Sequence, residues 1–260
     1  MKKYDTDIIN IIKQDKETKN MEFSDRDVME IYSYIIQRDS KNYPPGYRLI
    51  LRKTPYIHKV LVPEISNIEF YSAKINTLNT GSFIVTASID EFYLTNEYRN
   101  KAILAAKDII SNYKDAKTGL LLTGNLRTGK TYLLSAIAIE LAKLGYSVLF
   151  LFMSDLVRVM KDAIGLGNVE NYVNLLKNCD ALFLDDLGCE NMSEWFRDEI
   201  FYPVLHHRSN LGKPVFISTN CTQEELLKNF AGEGNKNSRG KAARIQTRIN
   251  ELTKRYQIDS

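Results

Sequence analysis

The stretch Gly124-Asn125-Leu126-Arg127-Thr128-Gly129-Lys130-Thr131 constrains this chain more than any other. It satisfies G-x-x-x-x-G-K-[ST] at every fixed position. Leu120-Leu121-Leu122 precede it as an apolar strand, and an amphipathic helix follows. A strand–loop–helix frame of this kind turns backbone N–H groups and a helix N-terminus towards one point, where they suit phosphate oxygens. Gly129 lets the backbone come close. Lys130 reaches the β- and γ-phosphates as a point charge, and the Thr131 hydroxyl suits Mg²⁺. Residues Gly124, Asn125, Leu126, Arg127, Thr128, Gly129, Lys130, Thr131 and Tyr132 therefore read as an ATP site with Mg²⁺ as its ion.

The surrounding pattern sets the fold class. Apolar runs at Gly119–Thr123, Val148–Met153, Ala181–Asp185 and Pro214–Thr219 alternate with helical stretches at Lys130–Leu144, Asp155–Ile164 and Trp195–Arg208. Strands apolar throughout and separated by helices predict an α/β fold, a parallel sheet covered on both faces. Asn96 is placed to cap a helix through Tyr113, Gly145 to end the helix after the loop, and Pro203 to kink or split the third helix.

Two strand ends carry polar groups. About 55 residues after the loop, Leu182-Phe183-Leu184 runs into Asp185-Asp186. Ligands of open α/β sheets sit at that edge. Asp185 reads as the carboxylate near Mg²⁺, and Asp186 as the group that polarises an attacking water. Aspartate is shorter than the glutamate many ATPases use there, so slow turnover is expected. Phe216-Ile217-Ser218-Thr219 ends in Asn220, which can hydrogen-bond the attacking water or the γ-phosphate. Thr222 and Glu225 have capping-box spacing, so Thr222 reads as structural.

The first part of the chain differs in character. Residues 1–71 read as a small α+β domain, with a helix at 27–39 capped by Ser24. A Pro44-Pro45-Gly46 turn follows, then strands at Tyr47–Leu51 and Tyr56–Val62 around Lys53-Thr54-Pro55. Residues 72–95 read as a linker and 96–260 as the ATPase domain.

Composition excludes several classes. With 44% hydrophobic and 26% charged residues the chain is not disordered wholesale. No run of about 18 apolar residues offers a membrane span. The N-terminus MKKYDTDIIN lacks a signal-peptide core, so a cytoplasmic protein is expected. Cys179, Cys189 and Cys221 have no C-x-x-C spacing, and with His58, His206 and His207 they form no zinc-like cluster. The net charge of +3 is local, because residues 236–255 hold seven basic and one acidic side chain. Within that segment Arg244 and Arg248 fall one turn apart on one helix face, and arginine suits a neighbour's γ-phosphate.

The stretches GLLLTGNLRTGKTYLLSAIAIELAKLG, ALFLDDLGCENMSEWFRDEI, FISTN and KAARIQTRI resemble the bacterial replicative-helicase loaders of the AAA+ class. The likeness covers residues 92–253 well and extends weakly to YPPGYRLIL. It implies that Lys130, Asp186, Asn220 and Arg248 serve ATP hydrolysis. Thr131 and Asp185 would hold Mg²⁺. Arg248, with Arg244 close by, would complete a neighbouring subunit's site. It also implies a hexameric helicase as partner of the N-terminal domain, self-assembly through the ATP site, and single-stranded DNA on a helix at about 154–177, through Arg158, Lys161 and Lys177. Three departures stand out. The related N-terminal domain carries a Cys/His zinc site, whereas this chain has no Cys before Cys179, so no zinc is expected and the domain relies on a small apolar core or on its partner. Arg127 replaces a glycine often found in the loop. Ser260 follows soon after the arginine helix, so a full second sensor is expected to be missing.

The function expected is ATP-dependent loading of the replicative helicase onto DNA. The alternatives are an accessory ATPase of a transposase and an ATP-binding adaptor without turnover. A small-molecule kinase would need a lid and a cleft, where the stretch after Asn220 offers a basic loop and an arginine helix instead.

Overall fold

The computed structural model describes residues 6–40, 47–52, 57–63, 75–78, 81–188, 190, 192–232 and 236–259. The chain divides into two compact units, Met1–Asn67 and Ile68–Ser260.

The first unit has helices α1 (Thr6–Gln14) and α2 (Val28–Asp39) and an antiparallel hairpin of β1 (Tyr47–Arg52) and β2 (His58–Pro63). Ile12, Val28, Ile31, Tyr34, Ile35 and Leu49 make its core. Asp27, not Ser24, is the residue before α2, and Ser24 Oγ donates to the Asp27 carboxylate at 2.7 Å. Arg38 joins the two helices through Asp15 at 2.6 Å, and this guanidinium holds the Asp15 carboxyl down to about 2. The Pro-Pro-Gly turn and Lys53-Thr54-Pro55 lie outside the described residues.

The second unit is built on a five-stranded parallel sheet of order β4-β5-β6-β3-β7. Its strands are β3 (Gly119–Thr123), β4 (Val148–Phe152), β5 (Ala181–Asp185), β6 (Val215–Thr219) and β7 (Thr253–Gln257). Helix α3 (Glu97–Ser111) begins at Asn96, whose side chain accepts from Arg99 N. Helix α4 (Lys130–Lys143) follows the phosphate loop and is apolar nearly all round, because sheet and other helices cover it. After β4 come α5 (Met153–Leu166), which matches the helix expected at Asp155–Ile164, and α6 (Val169–Asn178), so the single helix that the resemblance implies over about 154–177 is two. Gly167, left-handed at φ 65°, ends the first of them.

Pro203 was expected to kink or split its helix, and it does not split it: residues 194–211 stay helical throughout. Residues Phe196–Phe201 form a π-helical turn that runs directly into α7 (Tyr202–Leu211), so the ladder is distorted just before the proline. Helix α8 (Gln223–Ala231) has the full capping box of Thr222 and Glu225. Helix α9 (Lys236–Leu252) buries Ala242, Ile245, Ile249 and Leu252 on one side.

Within the expected linker, 72–95, the described residues between 75 and 92 do not run free. Ile75, Ala87, Ile89 and Phe92 are buried in the core beside α4. Asn76 exchanges backbone bonds with Val148 and Phe150, while Ile84 N donates to Ser135 Oγ at 3.1 Å and Ser88 N to Tyr132 Oη at 3.1 Å.

One buried cation ties the far end of the sheet together. Arg208 is fully buried, and its Nη atoms donate to the carbonyls of Leu176, Lys177, Cys179, Asp180 and Pro214 at 2.8–3.4 Å. It thereby closes the C-terminal end of α6 and pins the entries to β5 and β6. Removing the guanidinium leaves these carbonyls without it in a dry site. Arg208→Met is therefore expected to lower unfolding stability by about 3–5 kcal/mol, read by urea denaturation.

Candidate ATP site

The loop between β3 and α4 has the backbone its sequence predicts. Gly124 and Gly129 take φ of 151° and 92°, values that favour glycine. Arg127 also sits left-handed, at φ 62°, in the conformation a glycine would take without strain. Lys130 Nζ folds onto the loop, donating to Gly124 O at 2.8 Å and Asn125 O at 2.6 Å. The N-terminus of α4 opens on the same loop, so its free N–H groups and dipole suit an anion.

The strand ends converge on it. Thr131 Oγ1 donates to the Asp185 carboxylate at 3.0 Å, and Ser218 Oγ donates to it at 2.6 Å. The carboxylate is 2% exposed, and burial pushes its pKa up against the two hydroxyl bonds. Asp186, left-handed at φ 61°, accepts from Asn220 Nδ2 at 2.8 Å. The buried Asn220 Oδ1 has no hydrogen-bond partner among the described residues. A cavity of about 480 Å³ joins Leu126 through Tyr132 with Asp185, Asp186, Ser218 and Asn220. A second, of about 800 Å³, lies between the loop and residues 90–94, with Phe92, Arg99 and Tyr132 in its wall. The fit to a nucleotide is good: a left-handed glycine before a helix N-terminus, a lysine in reach, and oxygen donors Thr131 and Asp185 of the kind hard cations take.

Three contacts here were not read from the sequence. Ser218 bridges the two carboxylate residues, its Oγ also accepting Asp186 N at 2.8 Å. Asp259, beyond β7, accepts Asn125 N at 2.5 Å, and a Cβ on Gly124 would come 2.8 Å from Asp259 Oδ1. Arg99, from the first turn of α3, donates to Thr128 O at 2.5 Å. None of the three belongs to a motif of fixed spacing.

The remaining expected residues lie elsewhere. Arg248 is paired with Glu251 at 2.6 Å on α9, and Ser209 of α7 donates to the same carboxylate at 2.7 Å. Arg244 is exposed one turn away. Arg158 and Lys161 stand on α5, the former paired with Asp155 at 2.8 Å, whereas Lys177 closes α6. Cys179 and Cys221 are free, partly buried thiols, raised in pKa by burial. Cys189 lies outside the described residues.

Known proteins share this architecture. The replicative helicase loader DnaI of Bacillus subtilis is 27% identical over 98% of this chain and 88% of its own length. The loader DnaC of Escherichia coli is 27% identical over 54% of this chain and 58% of its own. The crystal structure of DnaI superposes with a TM-score of 0.65 at 33% identity, covering 71% of this chain and 97% of that one. The chain is thus homologous to the replicative helicase loaders and has the AAA+ P-loop fold. Residues 75–234 match the family described as IstB-like ATP binding protein, and the chain belongs to that family.

Proposed function

We propose that this chain is an ATPase that loads a replicative DNA helicase onto DNA. The observation that carries the reading is the extent of its likeness to DnaI, which runs through both units and not the ATP-binding one alone. An accessory ATPase of a transposase would share the second unit but has no comparable support over residues 1–67.

The chemistry follows from the site. Lys130 and the loop N–H groups bind the phosphates, and Tyr132 with Phe92 walls the larger cavity beside them. Thr131 and Asp185 would hold Mg²⁺, which supplies charge screening for the phosphates when bound. Asp186 would accept a proton from the attacking water, with Asn220 fixing its carboxylate. Arg244 or Arg248 would reach a neighbour's γ-phosphate. Arg248 must first leave Glu251, a surface pair of small worth, and Arg244 is already exposed, so both stay candidates. The N-terminal unit would hold the helicase. Arg158, Lys161 and Lys177 would face single-stranded DNA as separate contacts on two helices.

Lys130→Ala removes a charged donor from both loop and phosphates. ATP affinity is expected to fall about 10–100-fold, measured by calorimetry. Asp185→Asn has two opposed effects. The buried carboxyl binds its proton more tightly folded than unfolded, so ionising it costs stability as pH rises above the ordinary carboxylate range. The amide should therefore melt higher than the wild type at pH 7 without nucleotide, while losing the Mg²⁺ dependence of ATP binding. For the arginines, phosphate release is followed in mixtures. Arg244→Ala or Arg248→Ala subunits, inactive alone, should regain turnover when mixed with Asp186→Ala subunits, and whichever variant shows no loss alone is not the trans residue.

The reading as a whole is tested by co-purification. A hexameric replicative helicase should be retained by the full chain with ATP and released after hydrolysis. Retention of a transposase instead would replace it.

A further inference from the structure

Arg99 stands apart from every motif, yet it grips the phosphate loop from behind. Its backbone N–H is fixed by the Asn96 cap at 2.8 Å, which sets the side chain at the start of α3. Its Nε donates to Tyr93 O at 2.6 Å, and its Nη1 to Thr128 O at 2.5 Å. The guanidinium lies over the Phe92 ring, 4.3 Å from the centroid, and Phe92 in turn lies 6.2 Å from Tyr132. Among the described residues no carboxylate pairs with it, and Asp90, in the same cavity wall, pairs with Lys107 instead. A partly buried cation without a counter-ion is held here by carbonyls and a ring face.

The carbonyl it holds is the informative one. Thr128 C=O and Gly129 N–H belong to one peptide plane, and across a trans peptide they point in opposite directions. Fixing the carbonyl towards Arg99 fixes the N–H away from it, in a residue that also lines the cavity of Lys130, Thr131 and Asp185. Glycine at 129, with no side chain to restrain ψ of its neighbour or its own φ of 92°, would otherwise let this plane turn. An added Cβ at Gly129 would lie 3.2 Å from Arg99 Nη2, so the guanidinium sits close against this glycine.

We infer that Arg99 is a positioning residue of the ATP site, holding the Thr128–Gly129 peptide so that Gly129 N–H faces the phosphates. The inference rests on the reading of this loop as an ATP site. It distinguishes Arg99 from a residue that merely walls the larger cavity: its effect belongs to the phosphates, not to the adenine.

Calorimetric titration of the full chain with Mg²⁺-ATP and with adenosine separates these roles. Arg99→Ala should weaken ATP binding about 10–100-fold, the loss of a charge-assisted bond, and leave adenosine unchanged. Arg99→Lys, which can hold one carbonyl only, should fall between. Low millimolar guanidinium should restore part of the ATP affinity of Arg99→Ala and none of that of Lys130→Ala. ATP binding by Arg99→Ala within about twofold of wild type would overturn the inference, as would a parallel loss of ATP and adenosine. If Arg99→Ala does not fold, the ATP-to-adenosine comparison in Arg99→Lys decides on the same terms. A wild-type chain that binds no ATP, or a Lys130→Ala variant that binds it normally, would remove the underlying reading instead.

Discussion

The orientation of a few peptide planes between β3 and α4 governs the rest of this site. A loop that offers its N–H groups to a ligand cannot spend them on its own secondary structure. It must be held by its carbonyls and from outside. Lys130 holds the carbonyls of Gly124 and Asn125 from within, Asp259 takes Asn125 N from the last strand's end, and Arg99 takes Thr128 O from α3. Two distant parts of the chain thus converge, with Lys130, on six residues. That over-determination also explains how Arg127 can remain left-handed, a conformation that costs a non-glycine residue about 1–2 kcal/mol.

The same logic applies to the carboxylates. Asp185 is buried and raised in pKa, which disfavours its charge, and the hydroxyls of Thr131 and Ser218 recover only part of that. A fold selected for stability alone has no use for such a group. Its presence beside a helix end suited to an anion fits the proposed binding of Mg²⁺ and phosphates together. Asn220 completes the set by tying Asp186 in place and leaving a buried oxygen without a partner among the described residues.

Much of this was legible because it is local. The loop has fixed spacing, the apolar strands stand out by composition, and Pro203 and the Thr222 box act within one or two turns. The missed features are non-local or compositionally plain. β7 reads Thr-Lys-Arg-Tyr-Gln, polar because it is the sheet edge, and only its pairing with β3 makes it a strand. Residues 75–92 look like a linker since their apolar side chains follow no period, yet Phe92, Ile89 and Ala87 pack on α4. The helical pattern stops at Ile164, near the left-handed Gly167 that ends α5, and α6 beyond it was not read. Arg99 and Asp259 meet the loop from far away in sequence, so no spacing could announce them.

The central claim is that residues 90–99, the loop 124–132 and the strand ends at 185–186 and 218–220 form one ATP site. Amide hydrogen exchange of the full chain, with and without Mg²⁺-ATP, tests it most directly. Protection should rise in these four segments together, at a common ATP concentration. Protection confined to other segments, or absent from the loop, would contradict it.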